Sequence, residues 1–187
     1  MKNGIRITLM LLLIGMMTMS ACIAQESVEI PALTIARREV PDNEAMQYMK
    51  KLGVGWNLGN TFDAIKGAWN ANADEMTVET SWCGVETNEA MFDAVRDAGF
   101  STVRLPVSWH DHVTGDDHQI SERWLSRVQQ VLDWAVSRGL YVILNIHHDE
   151  DQFLPSSAHY EESARYVQSI WSQLAVRFRD YDEHLII

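Results

Sequence analysis

Residues 141–153 read YVILNIHHDEDQF. The first half decides the fold. Leu140 to Ile146 is a near-continuous apolar run, as a strand shows when a parallel sheet is covered on both faces. The second half poses the functional question, because His147, His148, Asp149, Glu150 and Asp151 follow at the strand's end.

Working outward, the pattern alternates. Upstream, Ser121 can cap a helix that turns Leu125, Val128, Leu132 and Ala135 inward and stops at Gly139. Before it lies a strand over Ser101–Trp109 carrying Val103, Leu105 and Val107, then a helix capped by Thr87 with Met91, Val95 and Ala98 inward and Gly99 at its end. A first strand is expected over Leu52–Leu58, followed by a polar loop to Glu86. Downstream, a helix carries Val167, Trp171, Leu174 and Phe178, and His184–Ile187 reads as a fourth strand. Strand-helix three times and then a strand is an α/β parallel fold. A doubly wound sheet and a (β/α)8 barrel both satisfy it. The turn after the first strand lacks G-x-G-x-x-G, which weakens a nucleotide-binding reading.

Residues 1–21 stand apart from the domain. Lys2 and Arg6 precede an apolar run over Ile7–Met19 and then Ser20-Ala21-Cys22, the layout of a secretory signal. The run falls short of the ~20 residues that span a bilayer. Met19-Ser20-Ala21-Cys22 resembles a bacterial lipobox, so Cys22 is the expected lipidated N-terminus, with cleavage after Ala24 as the alternative. Residues 22–44 read as a tether and 45–187 as the domain. Removing the signal takes away two positive charges and no negative ones, moving the net charge from −11 to −13. Such a surface repels nucleic acid and anionic lipid headgroups and suits a neutral substrate. Contact with the membrane is expected only through the lipid. Cys83 then remains as a free thiol without a disulfide framework.

In both candidate architectures the active site sits at the C-terminal strand ends. Those ends are polar and aromatic. Arg104, flanked by Val103 and Leu105, either snorkels to solvent or serves in the mouth, where its charge keeps a carboxylate ionised. Trp56, Trp69, Trp82 and Trp109 lie at or after strand ends, where aromatic rings can cover the apolar face of a sugar. Core packing suits Trp124, Trp134 and Trp171 better, since they lie on helices. For the histidine pair, successive strand side chains point to opposite faces. Adjacent histidines on an extended strand therefore do not chelate one ion, and no zinc or calcium spacing is present. No metal and no cofactor is expected; polar site residues are preferred over a structural pair, and Asp149–Asp151 is expected to be solvated loop.

Four ordered stretches, GVGWNLGNTFDA, AGFSTVRLPVSWHDHV, RGLYVILNIHHDED and FRDYDEHLII, resemble the first half of glycoside hydrolase family 5 enzymes, in the bacterial branch of cellulases, lichenases and xyloglucanases. The resemblance covers about residue 45 to 187. It implies a (β/α)8 TIM barrel that hydrolyses β-linked glucans with retention. It also implies that Arg104 hydrogen-bonds the nucleophile carboxylate, that His147 supports the active site, and that His148, Trp109 and Asn60 contact sugar. The family's acid/base and nucleophile glutamates would fall beyond Ile187, so no catalytic residue is expected within these 187 residues. A barrel takes ~250 residues, and this chain is expected to supply its first three and a half units, inactive alone. The rival readings are a non-catalytic glycan-binding lipoprotein and a metal-dependent hydrolase using His147 and His148.

Overall fold

The computed structural model describes residues 39–67 and 71–187. The expected signal, the tether up to residue 38, Cys22 and Trp69 lie outside the described residues. Within 40–187 the chain forms one compact unit. Its main sheet has four parallel strands: β1 (Gly55–Asn57), β2 (Thr102–Val107), β5 (Tyr141–Ile146) and β6 (Leu185–Ile186), each paired with the next. A two-residue antiparallel ribbon, β3 (Val113–Thr114) with β4 (Gln119–Ile120), interrupts the second connection. Strand order follows chain order without reversal, so the sheet is wound in one direction, as in a barrel wall. Among the described residues it is an open arc.

The helices are α1 (Glu44–Leu52), α2 (Val78–Ser81), α3 (Glu89–Asp97), α4 (Glu122–Val136) and α5 (Tyr160–Arg177). Period-2 alternation divides each strand. Val103, Leu105, Val107, Val142 and Leu144 join the buried cluster with Phe92, Val128, Leu132, Ile170 and Leu174 of the helices. The opposite face carries Asn57, Arg104, Ile143 and Asn145, all partly or fully exposed. The expectation that the third strand is covered on both faces therefore holds on the helix side and is only partly met on the other.

Several boundaries differ from the sequence reading. Leu52 ends α1 instead of opening a strand: Asn43 caps that helix through Met46 N, and Ser101 and Thr102 hydroxyls donate to the Leu52 carbonyl. Gly53 sits at φ 55°, and a Cβ there would fall 2.3 Å from Ser101 Oγ. The long loop contains α2, fastened by its buried Glu79. In α3 the buried residues are Phe92 and Val95, while Ala98 is exposed. In α5 the inward stripe is Tyr166, Ile170 and Leu174, with Val167 and Trp171 at its margin. Ser121 precedes α4 but makes no side-chain cap; its hydroxyl donates to Glu75 Oε1 at 2.8 Å. Pro106 is accommodated because Leu58 N donates to Arg104 O, and Ser108 N to Phe62 O. The nitrogen of Pro106 faces the same side, where β1 has already ended, so the missing donor costs no ladder bond.

Two buried groups give measurable consequences. Glu79 accepts from Arg127 Nε and Nη2 at 2.9 and 2.8 Å and from Thr87 N at 2.9 Å. Arg127→Ala strands a buried carboxylate, and chemical denaturation is expected to show a loss of about 3–5 kcal/mol. His112 stacks on Trp124 with ring centroids 3.7 Å apart. Burial depresses its pKa from 6.5 to about 4, against the pull of Glu75. The unfolded chain therefore binds the extra proton between those values, so stability is full above pH 6.5 and falls as pH drops towards 4. His112→Phe is expected to flatten that part of the stability–pH curve.

Candidate active site

The ends of β1, β2 and β5 bring Asn57, Arg104 and His147 into one hydrogen-bonded row. Arg104 Nη1 donates to Asn57 Oδ1 at 2.8 Å, and Nη2 lies 3.2 Å from His147 Nδ1. Asn145 Nδ2 also approaches that nitrogen, at 3.4 Å. Guanidinium and amide nitrogens only donate, so Nδ1 must accept, and the proton of the neutral ring sits on Nε2. His147 is held below the usual histidine pKa, first by burial and then by His148 and Arg104. It is therefore neutral near pH 7. Among the described residues no carboxylate forms an ion pair with Arg104, so its charge is met by neutral partners.

His147 Nε2 faces Asp63 Oδ2 at 4.0 Å. Asp63 is buried, and its other oxygen accepts from Thr61 N at 2.8 Å. Ser108 Oγ donates to the Asp63 carbonyl at 2.9 Å and accepts from His148 N at 3.2 Å. The His148 ring lies 4.3 Å from that of His147 and 5.7 Å from Trp82, whose indole is 42% exposed. His148 Nδ1 is 3.3 Å from Glu150 Oε1.

This geometry corrects the parity argument for the histidines. The strand ends at Ile146, both histidines lie beyond it, and their rings come together. Asp63, His147 and His148 offer one ligand atom each within 4.8 Å of one another. The donor states oppose a cation there. Arg104 occupies His147 Nδ1, leaving Nε2 protonated, and its positive charge stands beside the cluster.

Asp149 is a second correction. It was expected in solvated loop, yet it is 1% exposed. Its carboxylate accepts from Trp109 N and His110 N, both at 3.0 Å, and pairs with His110 Nδ1 at 2.6 Å. That hydrogen bond raises the His110 pKa above its ordinary value. Asp149 thus fastens the end of β5 to the end of β2. Trp109, expected against sugar, is 0% exposed and packs in the core. Asn60 is exposed in a left-handed turn at φ 59°, and no hydrogen bond joins it to Arg104 or His147. Asn57, Asp63 and Asp149 were missed. Asn57 and Asp63 flank Asn60 in the same stretch, and Asp149 directly follows the histidines.

The family description "Cellulase (glycosyl hydrolase family 5)" matches residues 67–187. Endoglucanase A of Ruminococcus albus is 39% identical over 165 residues, covering 87% of this chain and 43% of that protein. Endoglucanase A of Clostridium longisporum is 35% identical, covering 89% and 31%. The chain thus spans less than half the length of these relatives. Among solved structures, a family 5 lichenase from Caldicellulosiruptor sp. F32 superposes with a TM-score of 0.75 at 50% identity, over 84% of this chain and 42% of that one. A broad-specificity endoglucanase from Ruminococcus champanellensis, solved with bound cellotriose, gives 0.73 at 42% identity, over 79% and 43%.

Asp149→Ala would leave two backbone amides and an imidazole without their acceptor. Each buried donor so orphaned costs about 1–3 kcal/mol. Urea denaturation is expected to show a loss of at least about 2 kcal/mol.

Proposed function

The chain belongs to the cellulases of glycosyl hydrolase family 5, and from that membership we propose that the complete protein is a retaining endo-β-1,4-glucanase whose cleft floor this chain supplies. The observation that carries the reading is Arg104. It stands partly buried between Asn57 and His147 with no anionic partner among the described residues. A guanidinium so placed is ready to hold a carboxylate in its ionised form. A nucleophile must be ionised, and a retaining glycosidase sets it ~5–5.5 Å from the acid/base carboxyl.

The remaining floor suits a neutral, hydroxyl-rich ligand. His147 stays uncharged, His148 and Trp82 form a half-exposed aromatic corner, and Asn57 and Asn145 add polar groups. Cellotriose bound to the relative of 42% identity and similar fold supports a glucan as substrate. In this reading His148 contacts sugar and His147 orients Arg104. The complete protein acts outside the cell, anchored through Cys22, a placement supported by the signal-like residues 1–21. The 187-residue chain, whose sheet is open among the described residues, is inactive alone in this reading.

Carboxymethylcellulose or barley β-glucan assayed with the complete reading frame should release reducing ends, and the isolated chain should not. Arg104→Ala in the complete protein should lower kcat by about 10²-fold or more. Glucan binding without turnover by the complete protein would replace this reading with a binding lipoprotein. Activity abolished by chelator would replace it with a metal-dependent hydrolase.

A further inference from the structure

We propose that Asp63 is a positioning residue: its free oxygen holds the His147 ring in one orientation and one tautomer, and through that ring it fixes Arg104. The inference rests on the reading of this cleft as the glucan-cleaving site. One turn carries both ends of the arrangement. Asn57, at its start, accepts from Arg104 at 2.8 Å. Asp63, at its finish, faces the far side of the imidazole at 4.0 Å. The turn therefore brackets the arginine–histidine pair from both sides. Gly59 lies within it, where a Cβ would fall 2.5 Å from Asn57 Nδ2.

The charges explain why a carboxylate is needed. Arg104 donates to Nδ1, so the ring's N–H points out on the opposite edge, towards Asp63. A cation on one edge and an anion on the other polarise the imidazole in one direction; the other tautomer would set an N–H against the guanidinium, and a flipped ring would turn a C–H towards it. At 4.0 Å the two atoms lie beyond direct hydrogen-bond distance, so Asp63 acts on the ring through its charge. Asp63 itself cannot swing away. Its backbone carbonyl accepts from Ser108 Oγ, and its other carboxylate oxygen accepts from Thr61 N.

The alternative is that Asp63 only caps its own turn. Asp63→Asn separates the two roles, because an amide oxygen still accepts from Thr61 N while the charge is gone. The experiment follows the His147 imidazole by nuclear magnetic resonance in the 187-residue chain. Asp63→Asn is expected to lower the His147 pKa by about 0.5–1 unit and to raise the share of the Nδ1–H tautomer. An unchanged pKa and tautomer in a folded Asp63→Asn protein overturns the proposal. Should that variant not fold, the wild-type Asp63 carboxyl carbon decides: it must shift with the His147 midpoint, and indifference to it overturns the proposal equally. Neither readout uses hydrolysis, so a failure of the glucanase reading is told apart from a failure of this one.

Discussion

The carboxylate of Asp149 sits out of water and, among the described residues, pairs with no lysine or arginine; two backbone amides and one imidazole hold it. Burying an anion is costly unless hydrogen bonds replace the lost solvent. Here the donors come from the end of β2 and the acceptor from the end of β5, so the two strand ends are tied at one point. His148, one residue before the tie, and Ser108, one residue before Trp109, are drawn together by it. The relation of Arg104 to His147 follows, since both side chains leave strands whose relative position the tie limits.

Around this point the molecule is two-faced. Towards the helices the sheet packs Val, Leu and Ile against α3, α4 and α5, and Glu79 with Arg127 binds the long first loop to α4. Towards the other face the strands present amide, guanidinium and imidazole groups. The same alternation that builds the core on one side therefore lays out the chemistry on the other.

Much of this is legible in the residues. The apolar run before His147, the stripe in α4 and the order of strands and helices give the parallel fold, and a charged residue inside TVRLPVSW marks the cleft. What escapes local reading depends on where chain ends meet. Asp149 reads as solvated because its neighbours Glu150 and Asp151 are, and nothing within ten residues shows that Trp109 and His110 supply amides to it. Trp109 reads as a sugar platform by its place after a strand, yet the chain leaves the strand at Val107 and its ring packs into the buried core. The histidine pair misleads in the opposite sense. Alternation holds only to Ile146, where the strand and its geometry stop. Asp63 lies in a turn of glycine and asparagine, where nothing local shows that its carboxylate is buried.

Among the described residues, the apolar layer between sheet and helices is assembled from the strands and helices of residues 40–187, whereas the polar face shows Arg104, Ile143 and Asn145 partly open. In a longer polypeptide emerging from the ribosome, this part can secure its oil-like layer before any later strand is made. The first carboxylate to meet Arg104 would then arrive at a guanidinium already aimed and waiting. Pairing of that guanidinium with an anion would thus be a late docking step onto a finished platform.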